Sequence, residues 1–161
     1  VGDGNNVLHD LMLAAAMCGF DIFYATPKGF EPDQEVLDRA HRISAKNNSK
    51  ISGTNDPFEA VTNAGVIYTD VFVSMGEEDI RGKSDAFQGF QVNDFLVSNA
   101  RPDFMFLHCL PAHRGDEVTD EVIDSPNSAV FDQAENRMWA QMSILTLLCN
   151  EPAWTTYRDL V

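Results

Sequence analysis

Short apolar runs alternate along this chain with longer amphipathic segments. The apolar runs are Asp21-Ile22-Phe23-Tyr24-Ala25, Lys50-Ile51-Ser52, Val66-Ile67-Tyr68-Thr69, Phe104-Met105-Phe106-Leu107 and Ala129-Val130-Phe131. Each is bounded by turn-forming residues and reads as a buried strand. Between them the spacing predicts helices near residues 6–18, 33–47, 57–63, 85–98 and 133–149. Asp33 is placed to cap the second, and Asp56-Pro57 forms a cap and first-turn pair for the third. Strands and helices in strict alternation predict an α/β fold, a three-layer arrangement of parallel sheet flanked by helices. In such a sheet the functional groups gather beyond the carboxyl ends of the strands, which puts the turns after Val1, Thr69 and Leu107 on one rim. The segment from Gly76 to Gly89, rich in charge and glycine, reads as a lid loop followed by a helix start.

The length of 161 residues and 44% hydrophobic content fit a single folded domain. The sequence opens on Val1-Gly2-Asp3-Gly4, as if already at a strand-to-turn junction, so it is expected to start inside a longer protein. No apolar run approaches the roughly 20 residues that span a bilayer. The net charge of −14, from 11 Lys and Arg against 25 Asp and Glu, disfavours nucleic acid and anionic membranes and favours cationic ligands. The three cysteines, Cys18, Cys109 and Cys149, are odd in number and lack CxxC spacing. A disulfide framework is not expected, and a reducing compartment is: the cytoplasm, or an organelle matrix if a transit segment lies upstream.

Four local groupings carry candidate chemistry. Gly2-Asp3-Gly4-Asn5-Asn6 is a glycine turn into a helix. It fails the dinucleotide fingerprint because Val7 stands where a third glycine is required. An amide of Asn5 or Asn6 at that helix start can instead meet a polar ligand. In Tyr68-Thr69-Asp70-Val71-Phe72-Val73-Ser74-Met75-Gly76, a carboxylate at a strand end and a hydroxyl with free backbone N–H groups in the next turn can together hold an α-amino and an α-carboxylate group. In His108-Cys109-Leu110-Pro111-Ala112-His113, an imidazole, a thiol and a rigid turn arrive at one point. Metal binding there lacks a fourth ligand at recognisable spacing, and neither a metal nor a cofactor is expected. A cysteine nucleophile with a histidine base and Asp70 as orienter stays open. Finally, Arg137 of Glu135-Asn136-Arg137, in the run Gln133-Ala134-Glu135-Asn136-Arg137-Met138-Trp139 near the start of the last long helix, either pairs with a neighbouring carboxylate or reaches the rim to polarise a carbonyl or hold a phosphate oxygen.

Taken together and in this order, from Val1 to about Asn150, these groupings resemble the ornithine carbamoyltransferases. The Ser74-Met75-Gly76 turn and the cysteine of His108-Cys109-Leu110-Pro111 are the specific part, since aspartate carbamoyltransferases typically carry His-Pro-Leu-Pro there. The resemblance implies a Rossmann-like second domain and transfer of a carbamoyl group from carbamoyl phosphate to the δ-amino group of L-ornithine, giving L-citrulline and phosphate. It implies that Asn6, Asp70, Ser74 and Met75 hold the α-amino and α-carboxylate of ornithine. Cys109 and Leu110 would line the reacting end, Arg137 would contact the carbamoyl group, and His108 and Pro111 would support the turn.

What is missing also matters. The Ser-Thr-Arg-Thr helix start and His-Pro loop that hold phosphate in that family do not occur here, so residues 1–161 are expected to form the ornithine-binding domain alone. Its expected partners are ornithine, carbamoyl phosphate and an N-terminal domain of the same protein, in a parent that is a homotrimer. By itself the piece is expected to be inactive. Two rival readings remain on the residues alone: a thiol-dependent amidino or acyl transferase using Cys109, and a non-catalytic amino-acid-binding module.

Overall fold

The computed structural model describes residues 1–73 and 83–150. The elements run α1 (Asn6–Cys18), β1 (Ile22–Ala25), α2 (Gln34–Asn47), β2 (Ile51–Thr54), α3 (Pro57–Val61), β3 (Val66–Thr69), α4 (Lys83–Ala86), α5 (Asp94–Val97), β4 (Met105–His108), α6 (Asp120–Ile123) and α7 (Val130–Cys149). β1 pairs with β2 and β3 with β4, both in parallel, with Ile22 opposite Ile51 and Thr69 opposite His108. Residues 1–2 lie between the two pairs. The Val1 nitrogen donates to the Tyr68 carbonyl at 2.9 Å, and the Gly2 N–H donates to the Ala25 carbonyl at 3.0 Å. The strand ends on both sides are thereby brought to the turn that opens α1.

Helices cover both faces, as the alternation predicts. Ile22 and Tyr24 pack with Met12 and Ala16 of α1 and Ala40 of α2, whereas Ala25 joins Ala60 of α3, Phe72, Phe87 and Phe90 in a second cluster. Residues of opposite parity in β1 thus face opposite layers, which is the period-two rule of a strand buried on both sides. A third cluster, built on Ile67, Phe106, Val92, Leu96, Val122 and Val130, supports β3 and β4.

The caps behave as their chemistry requires. The Asp33 carboxylate accepts from the Glu35 and Val36 N–H groups at 2.8 and 3.3 Å, and Asp56 accepts from Phe58 at 2.9 Å with Pro57 in the first turn. At the other end of α1, Gly19 adopts φ 77° and its N–H returns to the Ala15 carbonyl, a left-handed cap that suits glycine.

Two expected elements differ. The helix expected over 85–98 is split into α4 and α5. Gly89 adopts φ 89°, and Val92 is drawn into a bridge with Val118 through the Val92 N–H to the Glu117 carbonyl at 2.8 Å. Asn93 then caps α5 by accepting from Leu96. The strand expected at Ala129-Val130-Phe131 reduces to one bridge between Phe106 and Ser128, after which the chain enters α7 three residues earlier than expected. Val130 is buried as the first residue of that helix, so its apolar character reflects helix packing on β4. The lid expected from Gly76 lies outside the described residues up to position 82.

Candidate functional site

Asp70 is the residue immediately beyond β3, and Cys109 the residue immediately beyond β4. Because β3 and β4 are neighbours in register, their following residues emerge side by side at the carboxyl rim. The Cys109 thiol donates to Asp70 Oδ1 at 2.8 Å. The same oxygen accepts the Val71 N–H at 2.8 Å, and Oδ2 accepts the Asn5 side-chain amide at 3.0 Å. Asn5 also caps α1, its Oδ1 receiving the Val7 and Leu8 N–H groups at 3.0 and 3.3 Å. One asparagine therefore ties the start of α1 to the carboxylate at the end of β3.

The thiol is held in its neutral form. Burial and the adjacent Asp70 carboxylate push the Cys109 thiol up to about 12, while the Tyr68 hydroxyl beside the sulfur pulls weakly the other way. Tyr68 itself is pushed up to about 12, chiefly by burial and then by the neighbouring cysteine. Its hydroxyl oxygen accepts from Gln133 Nε2 at 3.0 Å, and Gln133 Oε1 accepts the His108 N–H at 3.1 Å.

His108 is fully enclosed and organises the turn from below. Its Nδ1 accepts the Leu110 N–H at 2.9 Å, which leaves the proton on Nε2, 3.1 Å from Glu117 Oε1. Glu117 is 0% exposed and also accepts the His113 N–H at 2.6 Å. The His108-Cys109-Leu110-Pro111 turn is thus pinned at both ends to one buried pair. Leu110 sits at φ 55° and is joined to Pro111 by a cis peptide. A bulky residue in the left-handed region is held there by its surroundings.

Asp70, His108 and Cys109 offer three ligand-capable atoms within 4.8 Å of one another. The thiol hydrogen and both imidazole nitrogens are already engaged in the bonds just described, so the grouping is closed on itself.

Of the residues singled out in the sequence, Asp70, Cys109, His108, Leu110 and Pro111 come together at this point. Asn6 is exposed at the first position of α1, beside Asn5. Ser74 and Met75 lie outside the described residues. Arg137 is exposed on α7, one turn beyond Gln133. The helix begins level with Phe106, where the Ala129 N–H meets the Phe106 carbonyl at 3.0 Å, and has reached His108 by Gln133. It therefore climbs toward the rim, and a further turn of about 5.4 Å carries the Arg137 backbone beyond it on the same helix face.

Sequence reasoning quoted Tyr68 and Gln133 within their runs without giving either a role, and missed Glu117. Gln133 had a signal, since it shares a helix face with Arg137, and Tyr68 directly precedes the Thr69-Asp70 strand end. Glu117 had none, because an acidic residue in a charged turn reads as solvated.

Residues 1–148 match the family described as aspartate/ornithine carbamoyltransferase, Asp/Orn binding domain. The chain belongs to this family. It is 56% identical over 146 residues to a catabolic ornithine carbamoyltransferase of Thermoplasma acidophilum, covering 90% of this chain and 48% of that protein. It is 54% identical over 149 residues to an anabolic ornithine carbamoyltransferase of Pyrococcus furiosus, covering 92% and 47%. The solved ornithine carbamoyltransferase from P. furiosus superposes with a TM-score of 0.86 over 91% of this chain and 47% of its own. At 37% identity, the anabolic enzyme from Campylobacter jejuni reaches the same TM-score of 0.86, over 93% and 50%. The carbamoyltransferase domain described here thus spans about half the length of the relatives it matches.

Proposed function

We propose that this domain supplies the ornithine-binding half of an enzyme that transfers a carbamoyl group from carbamoyl phosphate to the δ-amino group of L-ornithine, yielding L-citrulline and phosphate. The observation that carries the reading is the neutral Cys109 thiol bonded to Asp70 at the strand-end rim, in a chain of the Asp/Orn binding family. In this reading Asn6, Asp70, Ser74 and Met75 hold the α-amino and α-carboxylate groups. Cys109 and Leu110 line the reacting end, and Arg137 contacts the carbamoyl oxygen.

The chemistry asks for a neutral thiol. An alkyl ammonium has a pKa of about 10.4, so the δ-amino group must lose a proton before its lone pair can attack. A thiolate beside it would stabilise the ammonium and oppose that loss. A thiol whose own proton is spent on Asp70 does not. The new N–C bond forms, the C–O bond to phosphate breaks, and the second proton the nitrogen sheds leaves on the phosphate; Arg137 is suited to the charge that develops on the carbamoyl oxygen.

The covalent alternative, an amidino or acyl transferase with Cys109 as nucleophile, requires the opposite electrostatics, a depressed thiol pKa. Burial and Asp70 push this thiol the wrong way. The phosphate of the second substrate is assigned to an N-terminal domain, and the parent is taken to be a homotrimer. The test is citrulline formation by the purified chain, alone and supplied with the N-terminal half of a relative. No turnover alone and measurable turnover on reconstitution are expected. Robust turnover by the chain alone would overturn the half-site reading.

A further inference from the structure

α7 is attached to the sheet close to its start. Val130 is the buried side chain of this helix, and the Ala129 N–H just before it meets the Phe106 carbonyl at 3.0 Å. One turn on, Gln133 spans the ends of two strands. Its Oε1 takes the His108 N–H at 3.1 Å, because a backbone N–H can only donate, and that turns Nε2 to the Tyr68 hydroxyl oxygen at 3.0 Å. His108 ends β4 and Tyr68 lies in β3, so a single amide joins the helix to both strands that carry the site. Beyond it the described side-chain hydrogen bonds of α7 stay inside the helix, from Trp139 Nε1 to Glu135 at 3.4 Å and from Ser143 Oγ to the Trp139 carbonyl at 2.9 Å.

We infer that Gln133 is a positioning residue: it clamps α7 across β3 and β4 and sets the direction in which the helix carries Arg137 past the rim. The inference deepens the ornithine-binding reading, on which it rests for the role of Arg137. Two attachment points fix the tilt of a rod, and here they are Val130 and Gln133, about 4.5 Å apart along the axis. Arg137 lies about 10 Å along the helix from Val130, and Cys149 about 28 Å. A tilt of about 10° about Val130 displaces the Arg137 backbone by about 2 Å and the Cys149 end by about 5 Å. A misplacement of about 1 Å is enough to spoil a reacting geometry. Without Gln133 the course of α7 is left to Val130 and the Ala129 bond, both at its first turn.

The chemistry of the clamp says which substitutions keep it. A carboxylate at position 133 accepts the His108 N–H as the amide does, and the Tyr68 hydroxyl can turn to donate to its other oxygen. Gln133→Glu therefore keeps both ties. Gln133→Leu has neither, and Tyr68→Phe removes one while leaving the bond to His108.

The chain supplies its own reporters, since Cys18 at the end of α1 and Cys149 at the end of α7 are both exposed. In a Cys109→Ser background, which keeps a donor to Asp70, only these two thiols take a nitroxide. Double electron–electron resonance then reads the distance between them. It needs no substrate and no second domain, so its outcome is separate from whether carbamoyl transfer is ever observed. Gln133→Leu is expected to shift or broaden the distance distribution by about 5 Å, and Tyr68→Phe by less. Gln133→Glu is expected to keep the parent distribution. A residue that only added stability would lower the melting temperature and leave the distance in the folded protein where it was. An unchanged distribution in Gln133→Leu, or a change in Gln133→Glu as large as that in Gln133→Leu, would overturn the inference. Where circular dichroism shows that Gln133→Leu has not folded, Tyr68→Phe carries the test, and an unchanged distribution there overturns it.

Discussion

Asp70 takes three hydrogen bonds at the site, and what it does to its neighbours can be checked with a single atom changed. It accepts from a backbone N–H, an amide and a thiol. A carboxylate beside a thiol raises the cost of a second negative charge there. The thiol is the group that bears that cost, lifted to about 12 by burial and by Asp70. The sign follows directly: a thiol whose folded value is raised stays protonated through neutral pH, and its thiolate appears only as pH climbs toward that value. Alkylation of Cys109 should therefore rise steadily to pH 10 without a plateau, and should lag behind that of Cys18 and Cys149, which are exposed. Asp70→Asn removes the raising charge and should speed Cys109 alkylation at pH 8 by about threefold, a tenfold gain in thiolate per pKa unit being partly offset by the weaker nucleophilicity of a more acidic thiol. A slower reaction would show that Asp70 favours the thiolate. For the proposed reaction, Cys109→Ser in a chain joined to its second domain should leave transfer measurable, reduced by about 10- to 100-fold, with no covalent adduct trapped. Abolition together with an adduct on the wild-type cysteine would instead support nucleophilic catalysis.

At the scale of elements, the opening turn is closed in by backbone of the loop before α2. A Cβ on Gly4 would lie 2.4 Å from the Phe30 carbonyl oxygen and from the Glu31 carbonyl carbon, both backbone atoms with nowhere to move. Gly4→Ala should therefore cost about 1–3 kcal/mol in denaturant unfolding and displace the start of α1. Asn5→Ala, which removes only the cap and the tie to Asp70, should cost about 1 kcal/mol. Equal stability of the Gly4→Ala variant and the parent would contradict the contact. The turns legible in the sequence were those where local chemistry decides: α1 ends as expected because Asn5 caps it and Gly19 closes it, and α2 starts at the Asp33 cap. What was not legible depended on distant partners. Ala129-Val130-Phe131 has strand composition, yet only Ser128 bridges to Phe106 before packing of Val130 turns the chain into α7. The helix expected across 85–98 is interrupted because Val92 pairs with Val118, a contact no local pattern announces. The site divides in the same way. Asp70 and Cys109 were visible as strand-end residues, whereas Gln133 and Glu117 act only because α7 and the turn after His113 fold back onto β4.

For the molecule as a whole, α7 is the element least explained by this chain alone. It is 20 residues long, yet among its described residues only Val130 is buried. Phe131, Met138, Met142 and Leu145 stand 72%, 50%, 50% and 58% exposed. Their spacing of seven, four and three puts them in one stripe, and a sustained apolar stripe on a helix implies something that covers it. The relatives are about twice as long as this chain, so the occupant proposed for the stripe is the N-terminal domain. The double substitution Met142→Lys with Leu145→Lys tests this. Because both side chains are half or more exposed, melting of the chain alone should shift by no more than about 0.5 kcal/mol in stability, the range of ordinary surface changes. Binding to the N-terminal half should weaken by tenfold or more, since each buried lysine would carry an unpaired charge into an apolar contact. The same α7 carries Gln133 and Arg137 toward the rim, so a docked stripe would also hold the helix that bears them. If reconstituted carbamoyl transfer survives the double substitution at full strength, the stripe is covered by something else.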